Sequence, residues 1–425
     1  MQKVDCIVVG AGPAGSACAL TLARGGVKTV LVERGTRPGE KNVMGGVLFA
    51  DVLARLITEF YQEAPLERCV TENEFFFLGP QSCVNLKFRF YELFEKRLAF
   101  TVFRRKFDDW FARKAEEAGA QLLPGVLVTD LLREDGRVVG IRAGEDELIA
   151  DVVVGTDGIN SVVAEKSGLR DRIAPSRCLQ GVREVRDLPA EVIEDRFQLN
   201  KGEGLIKDGW GYPMEEVGGA YLLYTYNDCL SLAVFGQVEA LARSGQNLND
   251  IMETFKRHPH IYALIEGSEL REYEAHMISH GGHVPLKRVY GDGVLLAGEA
   301  GGFMKWDFVG AQPAMLTGMK AAEAVIQAKK KGDYTRKTLR RYIELLGETK
   351  ALQDIRTSRN LHRFLALRGH ERMGAYNRAV NEIIEGGLLD EFDSFKRETY
   401  PALSRLYFGI IQDWIPRILR WPLKV

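Results

Sequence analysis

Apolar and polar positions change rhythm twice near the start of the chain. Cys6 to Val9 form an unbroken apolar run rich in β-branched residues, three glycines follow at once, and "SACALTLARGG" then repeats apolar residues at helical spacing. The pattern predicts strand, tight turn and helix. "KTVLVERG" predicts a second strand, ending in Glu33. Farther on, "VFRRKFDDWFARKAEEAGAQLLPGVLVTDLL" predicts a helix with Phe107, Trp110, Phe111 and Ala115 on its buried face, then a strand. "GRVVGIRAGEDELIADVVVGTDGINSVVAEKSGL" predicts a hairpin, a strand and the turn "GTDG". From 176 to 285 the strand–helix alternation gives way to β-rich runs such as "GGAYLLYTYNDCLSLAVFGQV". "DGVLLAGEAGGF" returns to strand, "AQPAMLTGMKAAEAVIQAKKK" follows as a helix, and the chain reads helical from about 333.

The predicted fold is α/β, with a discontinuous Rossmann-like nucleotide domain interrupted by a β-rich (α+β) substrate domain. The nucleotide domain comprises 1–175, with an insertion at about 47–100, and 286–332. The substrate domain is 176–285, and 333–425 is a helical C-terminal region.

Composition narrows the function classes. A chain of 425 residues that is 46% hydrophobic and 27% charged can bury a large core and does not suggest disorder. The formal net charge is −1 and no nucleic-acid motif appears, so no nucleic-acid partner is expected. The first strand begins at residue 4 and no stretch approaches the ~18–20 apolar residues of a spanning helix. The expected location is cytoplasmic, or on a membrane face. Cys6, Cys18, Cys69, Cys83, Cys178 and Cys229 form no close cluster, which speaks against an iron–sulfur or zinc site. "HPH" (His258, His260) and "HGGH" (His280, His283) lack companion ligands and read as turn histidines. No metal is expected.

Residues 329–372 hold thirteen Lys/Arg against five Asp/Glu. Solvated helix faces account for such a run, and a docking surface for an acidic protein or anionic lipid is the alternative.

In the loop "GAGPAG", Gly10 permits the turn, Gly12 lets the backbone approach a pyrophosphate, and Gly15 lets helix and strand pack closely. The helix that opens through Pro13 and Ala14 offers free N–H groups to the phosphates. Glu33, beside Arg34, stands where a carboxylate accepts both ribose hydroxyls and repels a 2′-phosphate. NADP is disfavoured, and FAD or NAD remains. No second such loop follows a strand, so electrons are not expected to arrive from a nicotinamide held by a second unit of this kind.

Four separated pieces, "GAGPAG" with Glu33, Arg104 after "FTVF", "GTDGINSVV" and "GDGVLLAGEAGGF", together resemble the glutathione-reductase-type FAD fold in its p-hydroxybenzoate-hydroxylase-like branch. The resemblance implies that Asp157 and Gly158 support the cofactor site, and that the acid after Gly298 binds the ribityl chain. That acid is Glu299 here, where the branch nearly always has aspartate, a reach longer by about 1.5 Å. "KNVMGGVLFADVL", with Gly45 and Gly46, resembles the "KNxSGGxLY" segment of the electron-transfer-flavoprotein:quinone oxidoreductases, particularly the short FixC/EtfC type. So does "GGAYLLYTYNDCLSLAVFGQVEAL". "GAQPAMLTGMKAAEAV" resembles that family's helix directed at the flavin ring, making the N–H groups of Gly310, Ala311 and Gln312 candidates for the flavin's N1–C2=O end. Helix capping would explain the same residues. Met44 replaces the usual serine of "SGG".

The resemblance implies FAD and electron-transfer flavoprotein subunits as partners, with a membrane quinone as acceptor. It also implies a [4Fe–4S] centre on a separate ferredoxin-like FixX/EtfX subunit, because the cysteine-rich domain of the long members is missing from this sequence. The short members work in NADH-dependent bifurcating complexes. "GWGYP" also resembles the aromatic-proline motif of geranylgeranyl reductases, so a reductase of that kind, or a flavin monooxygenase, is the alternative. Trp210, Tyr212 and Tyr224 could line a quinone cleft or form a sheet's core face. The sequence singles out no catalytic proton donor. The C-terminal "YPALSRLYFGIIQDWIPRILRWPLKV" mixes tryptophans and cations and suits peripheral contact with the inner face of the cell membrane, or packing on the body of the protein.

Overall fold

A computed structural model describes residues 3–40, 46–279, 288–305, 309–349 and 352. Two sheets organise the chain. In the first, five strands run parallel in the order Val294–Leu296, Asp146–Gly155, Val4–Val9, Thr29–Glu33, Gln121–Pro124. From Cys6 to Val9 the central strand is apolar because both its faces are covered: Cys6, Ile7 and Val8 have no exposed surface. Helices Pro13–Arg24 and Ala311–Lys331 pack tightly together, since a Cβ on Gly318 would lie 2.0 Å from the Ala14 carbonyl oxygen. In helix Arg104–Glu117, Phe107, Phe111 and Ala115 are buried as the periodicity predicts, and Trp110 is half-buried against the same core. The discontinuous Rossmann-like domain is therefore present, with the strand Val294–Leu296 closing it from the far side of the sequence.

The second sheet has nine strands. Its path runs Glu269–Ser279, Cys178–Asp187, Cys229–Gln237, Gly219–Thr225, Glu203–Gly211, Leu66–Leu78, Ala99–Val102, Gly46–Phe49, with Cys83–Arg89 paired to Leu66–Leu78. The segment read as an insertion at about 47–100 thus completes the β-rich domain rather than standing apart from it. The join is a parallel pairing in which Cys69 lies opposite Glu203. Local periodicity carries no signal of so distant a pairing.

Alternation divides this sheet into two faces. Phe76, Leu205, Tyr221, Leu223 and Leu232 pack beneath helices Leu248–Arg257 and Pro259–Ile265. Leu179, Leu222, Ala233, Phe235 and Ile278 point the other way and meet Met304. Met304 leads to the long helix, since its sulfur would lie 3.0 Å from a Cβ on Gly310. The second face is therefore turned toward the N-terminus of the long helix.

Helices Arg336–Leu339 and Arg341–Gly347 open the predicted helical C-terminal region. Most of its remainder, including the tryptophan-rich end and much of the basic run, lies outside the described residues, as do Met44, Gly45, His280 and His283. Among the described residues no helix is long and apolar enough to cross a membrane, and no group of three His, Cys, Asp or Glu could hold a metal.

Candidate functional site

The three loop glycines serve different ends. Gly10 has φ of 98°, and a Cβ there would sit 2.8 Å from the Thr156 carbonyl oxygen. A Cβ on Gly15 would lie 1.8 Å from the Gly10 carbonyl oxygen. Both are required by the turn and its packing. Gly12 is not: a Cβ there would meet only the Arg104 guanidinium, at 4.0 Å. Open space thus lies over Gly12, faced by a cation and by the unpaired first-turn N–H groups of the helix that starts at Pro13 and Ala14. A diphosphate fits these donors.

Arg104 is fixed for that role. Its Nε and one terminal nitrogen each donate to Asp108 at 2.8 Å, and Asp108 is fully buried. Burial pushes the Asp108 carboxyl up while Arg104 pulls it down. Glu33 ends its strand with one carboxylate oxygen accepting from Ala11 N (3.0 Å) and the other from Gly35 N (2.7 Å). Both oxygens keep further acceptor sites for a ribose. Arg34 is exposed beside it.

Asp157 supports the loop indirectly. Its oxygens accept from Ser161 Oγ (2.5 Å) and Val163 N (3.1 Å), fixing the start of helix Val162–Lys166, and burial raises its pKa. Gly158 follows at φ 74°. Gly298 takes φ 59° and donates to Thr317 Oγ1 at 2.9 Å. Glu299 is half-buried and reaches the second sheet, one oxygen accepting from Ser279 N at 2.8 Å. Its pKa is raised by burial, against the pull of Ser279, Arg170 and Arg104. This carboxylate thus ties the two sheets together.

At the other end, Gly310 precedes the first turn of the long helix, with Ala311 and Gln312 as its first residues. Gln312 Nε2 donates to Asp51 Oδ1 at 2.5 Å, anchoring that turn to the segment after Gly46. A Cβ on Gly46 would meet nothing within 4 Å. The structure therefore gathers Gly10, Gly12, Pro13, Ala14, Gly15 and Arg104 at one end, and joins Glu299 to the second sheet.

The three aromatic candidates do not stay together. Tyr224 lies on the face turned to the long helix and touches the groups around Met304, Ile206 and Phe103. Trp210 stacks on Phe75 and Phe77, with ring centres 6.0 and 5.6 Å away. Tyr212 instead packs with the cluster beneath the helices, so it cannot share a cleft wall with Tyr224.

One residue of interest escaped the sequence reading. His276, on the strand Glu269–Ser279, has its pKa pushed down to about 4, first by burial and then by Arg104 and Arg34. An isolated histidine on a strand gives no local signal of such neighbours.

Residues 5–158 match the FAD dependent oxidoreductase family. The chain is 38% identical to the FixC protein of Bradyrhizobium diazoefficiens over 85% of its length and 84% of that protein's. It is 39% identical to FixC of Escherichia coli K12 over 85% of each chain, and 36% identical to FixC of Azorhizobium caulinodans over 97% of each. In fold it resembles a geranylgeranyl bacteriochlorophyll reductase-like protein of Thermoplasma acidophilum (TM-score 0.72, 18% identity, 97% of this chain and 98% of that one). It also resembles the flavin-dependent brominase Bmp2 (TM-score 0.66, 18% identity, 97% and 99%). Identity at this level over most of the chain, joined to a cradle suited to FAD, shows that the protein belongs to the FixC family of FAD-dependent oxidoreductases.

Proposed function

We propose that this chain passes electrons from an electron-transfer flavoprotein, by way of a separate ferredoxin-like subunit carrying a [4Fe–4S] centre, to a membrane quinone. In this reading it is the flavin subunit of an NADH-dependent bifurcating assembly at the inner face of the cell membrane. FAD supplies the ability to accept electrons singly and release a pair. The residues around it bind and orient: the Gly10–Gly15 turn and Arg104 take the diphosphate, Glu33 the ribose, and Gly310–Gln312 present N–H groups where negative charge gathers on the reduced ring.

The observation that carries the reading is the apolar face that leads away from Met304. It passes Tyr224, Ile206 and the Phe75–Trp210 stack, and ends at an edge where Leu86, Phe88 and Phe90 are about half exposed and Tyr91 is 82% exposed. A long apolar substrate can lie along such a path, and an exposed aromatic edge suits the headgroup boundary of a bilayer.

The test is reconstitution. The chain alone should be reduced slowly by NADH or NADPH, and rapidly once reduced electron-transfer flavoprotein and the ferredoxin-like subunit are added. Fast reduction by NADPH alone would favour a reductase of the geranylgeranyl type instead. Removing residues 406–425 should leave FAD content and reduction by the donor intact. Liposome binding and turnover of a long-chain quinone should collapse, while a water-soluble quinone is still reduced. A truncated chain that keeps its liposome binding would assign the membrane surface to the Leu86–Tyr91 edge.

A further inference from the structure

Cross-strand register lays two rows of side chains across the face that meets Met304. In one, Tyr224 stands opposite Ile206, Ile206 opposite Asn73, and Asn73 opposite Phe88. In the other, Leu222, Asp208, Phe75 and Leu86 follow in turn. Tyr224 and Leu222 pack with Met304 at one end, and Phe88 and Leu86 are 47% and 52% exposed at the other.

Only two of these eight residues are non-aromatic and polar, and they meet: Asn73 Nδ2 donates to Asp208 Oδ2 at 3.3 Å. The Asn73 carbonyl oxygen is buried and accepts no hydrogen bond. A buried acceptor without a donor is unfavourable, and an apolar side chain would fill this place without that cost. Such an atom is explained if a ligand brings the donor.

We propose that Asn73 and Asp208 form the polar subsite for the head of the substrate, a dioxygenated aromatic ring on an apolar chain. A hydroxyl of the reduced ring donates to Asn73 Oδ1, and the chain lies past Phe75 and Trp210 toward Phe88. The inference rests on the quinone reading above. An oxidised ring carries two carbonyl acceptors and no O–H donor. The ring becomes a hydroquinone on gaining two electrons and two protons, and only then can it satisfy Asn73 Oδ1. The subsite therefore holds hydroquinone more tightly than quinone.

The experiment uses the FAD-loaded full chain without oxygen. A short-chain quinone, its hydroquinone and the hydroquinone dimethyl ether, which has no O–H donor, are titrated against tryptophan fluorescence. Subtracting the signal of Trp210→Phe isolates Trp210. Asn73→Leu should weaken hydroquinone binding about tenfold and leave the quinone and the dimethyl ether within about twofold. Asp208→Asn, which preserves an acceptor for Asn73 Nδ2, should keep the preference for hydroquinone. If Asn73→Leu fails to retain FAD, Asn73→Ala, which also lacks a side-chain acceptor, is measured and should lose the preference in the same way. Unchanged hydroquinone affinity, or equal weakening of all three ligands, overturns the subsite while quinone turnover by the unaltered chain still stands. No quenching of Trp210 by any of the three, together with no quinone reduction, overturns the quinone reading and the subsite with it.

Discussion

Strands Leu66–Leu78 and Glu203–Gly211 make two polar pairs back to back, because consecutive residues point to opposite faces. Under the helices, Glu74 and Lys207 form an ion pair at 2.7 Å, both nearly buried. Lys207 also lies 3.2 Å from His260 Nε2 and over the Phe76 ring. On the other face, Asn73 and Asp208 meet at 3.3 Å with a carbonyl oxygen left unmatched. The charged pair is closed in by apolar packing and partnered on several sides. The amide–carboxylate pair lies on a path that opens to an exposed edge. Parity alone thus separates a residue pair that maintains the sheet from one placed to meet a ligand.

The largest effect belongs to the cofactor on which the open face depends. Gly12→Val should take FAD from one per chain to none, because its side chain enters the space meant for the diphosphate. The apoprotein should unfold within about 1 kcal/mol of the unaltered apoprotein, since nothing but Arg104 lies near. Gly15→Val should instead prevent folding, its Cβ colliding with the Gly10 carbonyl. Flavin absorbance of the purified variants and thermal unfolding check both; a Gly12→Val chain with full flavin would defeat the phosphate assignment.

The two polar pairs should then differ in stability. Lys207→Met leaves the Glu74 carboxylate buried without its cation, which costs about 3–5 kcal/mol. Asn73→Leu removes an unmatched acceptor together with one long hydrogen bond to Asp208, effects of opposite sign, and should change stability by less than about 1 kcal/mol. Urea unfolding of the apoproteins measures the contrast. Equal losses would mean that Asn73 is as structural as Lys207.

What could be read in advance follows from sequence distance. The Gly10–Gly15 turn, Glu33 and Gly158 act through backbone within their own neighbourhood, and short motifs report such geometry. Glu299 was recognisable as the acid after "LLAG", but its bond to Ser279 N depends on how two sheets meet. Asn73 and Asp208 become neighbours only through the parallel join of Leu66–Leu78 to Glu203–Gly211, which neither strand announces. Tyr212 of "GWGYP" and Tyr224 of "YLLYTY" are candidates for one cleft by residue type alone, yet they pack on opposite faces of the sheet.

The smallest effect should come from two histidines that the comparison sets apart. His260, under the helices, is pushed down to about 4 by burial, then by Lys207 and His258. His276, on the cofactor side, is pushed down to about 4 by burial, then by Arg104 and Arg34. Both are neutral in the fold at pH 7. Their folded pKa values lie below the usual 6.5, so unfolding takes up protons below that pH. Their contribution to stability is complete above about 6.5 and is lost as pH falls toward 4. Only His276 should feel the cofactor. A diphosphate beside Arg104 offsets the positive charge that holds His276 neutral, so FAD binding raises its pKa and takes up a fraction of a proton. FAD affinity should accordingly rise by about threefold as pH falls from 7 to 5. His276→Gln should flatten that dependence, and His260→Gln should leave it intact while removing part of the acid loss of stability. Flavin fluorescence titrations across this pH range, beside unfolding of the same apoproteins, separate the two. If His260→Gln flattened the FAD dependence as well, the two faces would be coupled through the sheet, and the division between a structural and a ligand-facing side would fail.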